Sequence, residues 1–532
     1  MPIARSLLAV ATLAALPSLV LAQRPSRPAP VAAPDTNRVA GAASGPAPTS
    51  EERVTTTHTA TIGGQRIEYD ATVGNILLRD TADVPIASIF YTAYTRRGVR
   101  DLAHRPIMFA YNGGPGSSSV WVHMGAFGPR RVATPDTAHA PPPPYDIVDN
   151  EYSPLDRTDI VFIDPVGTGF SKPLNHARGA QFWGVDEDVR SLAQFISRYL
   201  SESGRWNSPR YLAGESYGTT RSAALVNYLQ SRDNMDFNGV ILMSSVLDFQ
   251  TITFDAGNDM PYIMYLPSYA AVAYFHHALP QQPAALRPFL KEVEQFAGTE
   301  YAHALLAGSA LGAADRNRIL ERLHQYTGIS RDYYDKADLR VDAGQFEKEL
   351  LREHGIVVGR LDARFTGPTG DLLEERAPYD PQSADVSSAY TSAFNHYLHD
   401  ELNFGKDRQY VISGNVNPWN WTHGPRRGWP GHTNVAVDLE EALEYNTRLH
   451  VLLNSGLFDL ATPYYAAEWT MAHMQLPAAL RDHIQEVEYD AGHMMYLHEP
   501  SLAKLKQSVV AFIDATAGGQ AAPVRAAAGG SR

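Results

Sequence analysis

Short apolar segments alternate with helical segments over two parts of the chain. Four of the segments are compact and apolar enough to predict strands buried within a sheet: 105–111, 159–164, 210–213 and 239–244. Apolar residues recur at helical spacing between residues 185 and 200, which predicts a helix with one packed face. Strands that alternate with helices predict an α/β fold with a mostly parallel central sheet and flanking helices.

The same pattern extends on both sides of these segments. Upstream, strand-like stretches at 58–62 and 65–69 flank Gly63-Gly64, which predicts a hairpin, and strand character continues through 75–78 and 86–94. Downstream, the alternation returns at 449–454 and 484–489, and an amphipathic helix is predicted over 500–514.

The middle of the chain has a different character. Helix-like runs replace the alternation, followed by a segment rich in Pro, Trp and Asn: 284–296, 313–326, 343–354 and 417–430. We interpret 248–441 as a largely helical cap inserted between two parts of one core, 53–247 and 442–515.

Both ends of the chain have compositions that differ from the core. Residues 1–22 resemble a secretory signal, with Arg5 before an apolar run and small residues up to Ala22. A membrane anchor is the alternative, but Pro17 interrupts a run that is short for a bilayer. Residues 23–52 are predicted to be a disordered linker and 516–532 a flexible tail. The protein is therefore expected to be exported, to the periplasm or the medium.

Charge and cysteine content exclude several classes of function. The net charge is −13, so there is no basic excess to neutralise the phosphates of a nucleic-acid partner. The chain has no cysteine, which excludes thiol catalysis, disulfides and thiolate metal sites. His276-His277 and His498-Glu499 lack the spacing of a metal site, so we expect no metal.

Gly214-Glu215-Ser216-Tyr217-Gly218 has the spacing of a nucleophile elbow, G-x-S-x-G. A predicted strand precedes it and a predicted helix, 219–230, follows it, which is the context that such a turn requires. The alternative is a serine that caps an ordinary helix. The distinction depends on whether the rest of the chain supplies a base and an acid.

Two residues beyond the predicted cap complete this set. Asp459 follows the predicted strand 449–454, and His493 follows the strand 484–489. Serine, acid and histidine in this chain order, each just past a strand, are typical of sheet-based hydrolases. Singly, Asp459 also fits a turn or helix cap and His493 an ordinary core or surface histidine. Together the three positions predict a catalytic triad, which needs no cofactor.

Asn112-Gly113-Gly114-Pro115-Gly116 comes directly after a predicted buried strand. Glycines there leave backbone N–H groups bare, and such donors stabilise the oxyanion of a tetrahedral intermediate. A phosphate-binding loop is the alternative, but that loop needs a lysine after the glycines, whereas serines follow here.

These motifs together resemble the serine carboxypeptidase family. The resemblance also includes the run from Phe162 to Ser171, the Asp459 segment with Pro463, and Gly492-His493-Met494. It implies an α/β-hydrolase fold and removal of C-terminal residues from a peptide substrate through an acyl-enzyme. By resemblance, Ser216 is the nucleophile, His493 the general acid and base, and Asp459 the residue that orients it.

The resemblance also implies roles around the triad. The N–H groups of Gly114 and Tyr217 would form the oxyanion hole. Asn112, the Gly113 N–H and Glu215 would bind the terminal carboxylate of the substrate. A carboxylate repels a carboxylate, so Glu215 must be protonated or shielded to do this.

The sequence departs from the family pattern at several positions. Many members have a second Glu just before the Gly-Pro that matches Gly128-Pro129, but Ala126-Phe127 stands there, which argues against a pair of carboxylates. Ser117 replaces a frequent cysteine, and Leu457 replaces an acid. Arg221 is a candidate source of positive charge, but we expect it on a solvated helix face.

Two other functions remain open at this point. An esterase or acyltransferase would use the same triad with another substrate or acceptor, and the missing second Glu is compatible with it. A non-catalytic binding module on a hydrolase fold is the third possibility, against which the intact triad argues. Trp419, Trp421 and Trp429 either line a substrate pocket or pack the predicted cap.

Overall fold

The computed structural model describes residues 50–424 and 431–518. The predicted signal segment, most of the predicted linker, the last part of the predicted tail and Trp429 lie outside these residues. None of the helices within the described ranges has the length and apolar character needed to cross a membrane.

A twisted sheet of ten strands forms the centre of the described structure, in the order β1-β2-β3-β7-β4-β9-β10-β13-β14, with β8 paired to β3. Two short two-stranded sheets, β5 with β6 and β11 with β12, lie outside it. In chain order the strands are β1 Arg53–Ile62, β2 Gln65–Arg79, β3 Pro85–Arg96, β4 Ile107–Tyr111, β5 Arg130–Val132, β6 Ile147–Asp149, β7 Asp159–Ile163, β8 Lys172–Pro173, β9 Arg210–Glu215, β10 Gly239–Met243, β11 Ile356–Val358, β12 Thr366–Pro368, β13 His450–Gly456 and β14 Ile484–Tyr489.

The six strands from β7 to β14 of this sheet run parallel, and the first three strands add to it antiparallel. The mostly parallel sheet predicted from the alternation is confirmed, and so is the hairpin at Gly63-Gly64. Because these six strands all point the same way, the loops after β4, β9, β13 and β14 all emerge at one edge of the sheet.

Thirteen α-helices are present in the described ranges, and some of them cover the two faces of the sheet. They are α1 Val185–Ser203, α2 Tyr217–Asp233, α3 Met260–Phe275, α4 Leu286–Phe296, α5 Ala302–Ala307, α6 Ala313–Thr327, α7 Arg331–Lys336, α8 Ala343–Glu349, α9 Pro381–His396, α10 Ala436–Tyr445, α11 Tyr464–His473, α12 Ala478–Arg481 and α13 Glu499–Thr516. Ile107 and Phe109 of β4 pack on the face covered by α1, α2 and α10, whereas Met108 and Ala110 pack on the face of α9 and α13. This alternation is the two-residue period of a strand.

The segment predicted as a cap contributes to three different parts of the core. Helices α3, α4 and α6 surround a hydrophobic cluster of their own, which also includes Leu457 and Phe458 from the loop after β13. By contrast, α9 packs on one face of the sheet and α10 on the other. The predicted helix over 343–354 is split, because α8 ends at Glu349 and a short turn, Arg352–His354, follows.

Candidate active site

Ser216 lies at the tip of a sharp turn between β9 and α2. Its φ is 60° and its N–H donates to the carbonyl of Met243 on β10 at 3.0 Å. A β-carbon at Gly214 would collide with the carbonyl of Gly218, so the turn admits only glycine there. A positive φ at a non-glycine residue is strained backbone of the kind found at functional sites. The half-buried serine is therefore held at the edge of the sheet.

Asp459 lies in the loop after β13 and is fully buried. Its Oδ1 accepts the N–H groups of Ala461 and Thr462 at 2.7 and 2.9 Å. Its Oδ2 accepts the Thr462 hydroxyl at 2.8 Å and faces His493 Nδ1, also at 2.8 Å. These contacts fix the carboxylate in one orientation.

His493 follows β14 and is buried beside Asp459. Burial opposes the charged imidazolium, but the charge and hydrogen bond of Asp459 outweigh it, and the pKa of His493 is raised above its ordinary value. With Nδ1 engaged by the carboxylate, Nε2 is the nitrogen left for proton transfer. The Ser244 hydroxyl donates to the His493 carbonyl at 2.7 Å, next to the residue that accepts the Ser216 N–H. The structure therefore brings the three predicted triad residues to one edge of the sheet.

The loop after β4 packs backbone against backbone on the elbow. A β-carbon at Gly113 would collide with the N–H groups of Tyr217 and Gly218, so no side chain fits between the two segments. Asn112 Nδ2 donates to Glu215 Oε1 at 2.6 Å. The predicted oxyanion donors and the predicted carboxylate-binding residues thus lie together, beside Ser216.

The segment from Phe162 to Ser171 is hydrogen-bonded to the end of this loop. Asp164, at the end of β7, accepts the N–H and hydroxyl of Ser119 at 2.8 and 2.7 Å. It also accepts the hydroxyl of Tyr410 at 2.6 Å, from a segment far along the chain. The buried carboxyl therefore anchors the far end of the glycine-rich loop.

A short stretch of the predicted cap, Arg360 to Arg364, is hydrogen-bonded to the backbone of both loops that carry Asp459 and His493. The His493 N–H donates to the Leu361 carbonyl at 2.6 Å, and the Gly492 N–H donates to Asp362 Oδ2 at 3.0 Å. Asp362 is fully buried and paired with Arg364 Nη2 at 2.6 Å. These residues were not predicted from the sequence, because no local pattern distinguishes them.

Comparison with known proteins identifies the family. The family model described as serine carboxypeptidase matches residues 80–354, just over half of the 532 residues. The chain belongs to the serine carboxypeptidase family. Serine carboxypeptidase-like 36 from Arabidopsis thaliana is 28% identical over 144 residues. That match covers 26% of this chain and 27% of the relative, so it spans about a quarter of the relative's length.

One solved structure has the same fold, and a second shows a weaker likeness. The crystal structure of Kex1(delta)p, a prohormone-processing carboxypeptidase from Saccharomyces cerevisiae, has a TM-score of 0.52 at 16% identity, covering 84% of this chain and 91% of that one. A proline iminopeptidase from Mycobacterium smegmatis has a TM-score of 0.35 at 14% identity, covering 86% and 98%. The fold of this serine carboxypeptidase family member is the α/β-hydrolase fold.

Glu215 is a buried carboxyl group that titrates near neutral pH. Burial raises its pKa to about 7, although the nearby His493 charge and the Asn112 amide lower it. Among the described residues, its second oxygen, Oε2, and the neighbouring Tyr496 hydroxyl each lack a hydrogen-bond partner of good geometry. The two groups still interact with each other, and this contact with Tyr496 also lowers the pKa of Glu215.

Tyrosines occupy the space beside Ala126, which stands where many family members have the second Glu. Ala126 is fully buried in a π-helical turn, Val122–Phe127. A β-carbon on the preceding Gly125 would collide with the ring of Tyr496 and the hydroxyl of Tyr390. Burial raises the pKa of both tyrosines, so both hydroxyls remain neutral donors.

The remaining candidates have structural contacts. His276 Nε2 contacts the Ala363 carbonyl at 2.6 Å, and His498 Nδ1 contacts the Ser501 hydroxyl at 2.8 Å. Within the described ranges, no group of three or more metal-ligating side chains is arranged to hold an ion. Trp419 and Trp421 pack on Tyr217, with ring centroids 5.3 and 5.9 Å away.

The expectation that Arg221 lies on a solvated helix face is wrong. Its side chain is fully buried, and its guanidinium is paired with Asp188 of α1. The helix α2 that carries it lies between the sheet, α1 and α10, so it presents little surface to solvent.

Proposed function

We propose that this protein is a serine-type carboxypeptidase that removes C-terminal residues from peptides through an acyl-enzyme on Ser216. The observation that carries the proposal is the buried hydrogen bond between Asp459 and His493, at the edge where the elbow presents Ser216. The Asn112–Glu215 pair at the same edge supports a substrate with a free carboxylate.

The arrangement supports a two-step acyl transfer. His493 Nε2 takes the proton of Ser216 as its Oγ attacks the carbonyl carbon of the last peptide bond. The imidazolium that forms is stabilised by Asp459, and the oxyanion by the N–H groups of Gly114 and Tyr217. The imidazolium then protonates the departing amine, and the C–N bond breaks. A water molecule repeats the sequence on the ester and frees Ser216.

Recognition of the terminal carboxylate would come from neutral donors. Asn112 is committed to Glu215 through Nδ2, which leaves the second carboxyl oxygen of Glu215 to carry a proton toward the substrate. The Gly113 N–H and the hydroxyls of Tyr390 and Tyr496 would complete the site. A neutral site avoids the repulsion that an ionised Glu215 would exert on the substrate.

Peptide digestion followed by mass spectrometry tests this proposal. We expect residues to be lost one at a time from the C-terminus of free-acid peptides, with the matching peptide amides cleaved far more slowly. Ser216→Ala is the control and should abolish the loss. Equal cleavage of acids and amides, or cleavage of esters alone, would contradict it and favour the esterase or acyltransferase. Failure of a fluorophosphonate to label Ser216 would favour the non-catalytic binding module.

We also propose export to the periplasm or the medium. The proposal rests on residues 1–22, with Arg5 before an interrupted apolar run and small residues at the end. Sequencing the N-terminus of the mature protein tests it: the first residue should be at or near Gln23. A mature protein that begins at Met1 would contradict it.

A further inference from the structure

Arg221 makes two short hydrogen bonds in two directions from one guanidinium. Its Nε donates to Asp188 Oδ2 on α1 at 2.6 Å. Its Nη1 donates to the backbone carbonyl of Asn112 at 2.6 Å. Both Arg221 and Asp188 are almost completely buried, so neither bond is weakened by water.

The guanidinium lies between the two chain segments that meet at the active site. It is 5.1 Å from the ring centroid of Tyr111, which precedes the glycine-rich loop, and 5.2 Å from that of Tyr217, which follows the nucleophile. A planar cation over an aromatic face is attracted to it, more so away from water. Arg221 therefore contacts the loop, the elbow and α1 at once.

The bond to the Asn112 carbonyl has a direct consequence for the next residue. A peptide group is planar and trans, so its C=O and the following N–H point in opposite directions. With the Asn112 carbonyl turned toward Arg221, the Gly113 N–H is turned away from it, on the side of the loop opposite the guanidinium. The N–H of Gly114 comes one residue later in the same turn.

We propose that Arg221 is a positioning residue that, with Asp188, sets the separation and direction of the two oxyanion donors, Gly114 N–H and Tyr217 N–H. This inference rests on the proposed function, since it concerns the same site. The pair has no net charge, so its effect on the reaction is geometric. A buried ion pair is weak as a source of stability compared with apolar residues of the same volume, so stability alone does not account for it.

Arg221→Lys is the first test. Lysine keeps the charge but lacks the planar fork of N–H groups that lets Arg221 donate to Asp188 and to the Asn112 carbonyl at the same time. The substrates are an ester and the matching thionoester, in which sulfur replaces the carbonyl oxygen. Sulfur is a weak acceptor, so thionoester hydrolysis draws little on the oxyanion donors. Because the two substrates differ only in that one atom and share one leaving group, effects that do not involve the carbonyl oxygen cancel in the ratio of their kcat values.

We expect kcat for the oxygen ester to fall about 10- to 100-fold, less than the loss of about 10²- to 10³-fold when one oxyanion donor is removed outright, because the donors are displaced and not deleted. The thionoester rate should change far less, so the ratio of the two rates should fall by nearly the same factor. KM for both esters should stay within about threefold, since ground-state contacts are not the target. Equal losses for both esters would overturn the proposal.

Arg205→Lys is the matched control. Arg205 forms an equally buried ion pair with Asp159, but at the opposite end of the parallel strands. Its replacement should lower the melting temperature and leave the rate ratio unchanged. A comparable fall of the ratio in this variant would also overturn the proposal.

A second variant covers the case in which Arg221→Lys does not fold. The double replacement Arg221→Met with Asp188→Leu substitutes apolar groups for the pair, a change that buried pairs often tolerate. We expect a folded protein by circular dichroism with a collapsed rate ratio, whereas a wild-type ratio would refute the inference. Failure of the proposed function is separate, because it would show in the wild-type protein as an inability to shorten free-acid peptides.

Discussion

Replacement of Glu215 by Gln tests the proposal that this residue helps to bind the terminal carboxylate of a peptide. Glutamine has the same shape, keeps an acceptor for Asn112 Nδ2 and places a permanent donor where the second carboxyl oxygen lies. The wild-type residue is a donor only while protonated, and its pKa is about 7 because it is buried. The variant should therefore bind peptides without the pH dependence that the carboxyl group imposes.

The size of the effect follows from this pKa. With a pKa of about 7, the protonated fraction falls from about 90% at pH 6 to about 3% at pH 8.5. If only the neutral form binds a free-acid peptide, kcat/KM falls about thirtyfold over this range through Glu215 alone. For peptide amides the repulsion is absent, so their kcat/KM should show no such decline on the alkaline side.

His493 accounts for the acid side of the same profile. It must be neutral to accept the serine proton, and its pKa is raised above the ordinary value, so activity should fall as pH drops through that range. An ionised Glu215 contributes to this raised pKa. Glu215→Gln should therefore remove the alkaline decline and shift the acid decline to lower pH.

Stability gives a second readout for the same variant. The folded pKa of Glu215 lies above the unfolded value of 4.5, so its contribution to stability is full below 4.5 and is lost as pH rises to about 7. The difference between a pKa of 4.5 in the unfolded chain and about 7 in the folded protein corresponds to about 3 kcal/mol, which the glutamine variant should regain at pH 8. Urea unfolding at pH 4.5 and 8 measures this difference.

The decisive assay is kcat/KM for a free-acid peptide and its amide between pH 5 and 9, for both proteins. An unchanged alkaline decline in the variant would refute the assignment of that decline to Glu215. Equal loss of activity toward acids, amides and esters at every pH would show that Glu215 has a role other than carboxylate binding.

Three further replacements probe the site. Asp362→Asn removes the charge paired with Arg364 and weakens the anchor of the histidine loop, so kcat for an ester should fall about tenfold with little change in KM; an unchanged kcat would contradict this. Tyr496→Phe removes the hydroxyl beside Glu215 and should raise KM for free-acid peptides severalfold, measured against the amide, for which no change is expected. Asp459→Asn deprives the imidazolium of its anion, so kcat should fall by about 10³- to 10⁴-fold, as in other serine hydrolases; retained fluorophosphonate labelling at the wild-type rate would count against that.

Local patterns were sufficient to predict the sheet and the position of the predicted triad. The strands β4, β7, β9 and β10 are apolar on both faces, and their bounds were predicted within a few residues. Parallel strands end at the same edge, so residues that follow strands come together even when they are hundreds of positions apart. That rule places Ser216, Asp459 and His493 together without any knowledge of the connections.

Contacts that depend on long-range packing were not predictable in this way. Asp362 accepts a hydrogen bond from the N–H of Gly492, 130 residues away. No sequence pattern around Asp362 distinguishes it from a residue in an ordinary turn. Arg221 was misjudged because a charged residue on a helix is normally solvated. The helix α2 is covered by α1, α10 and the sheet, so this normal rule fails there.

Two buried ion pairs hold opposite sides of the proposed site. In the first pair, Arg221 is bonded to Asp188 and donates to the Asn112 carbonyl; in the second, Asp362 is bonded to Arg364 and accepts the Gly492 N–H, next to His493. In each case one member of the pair reaches the backbone of a functional loop while the other neutralises its charge. A lone buried charge would shift the pKa of nearby groups such as Glu215, whereas the opposite charges of a close pair partly cancel at a third group. Neutral pairs therefore fix the loops while leaving the protonation of the site to burial and to the triad itself.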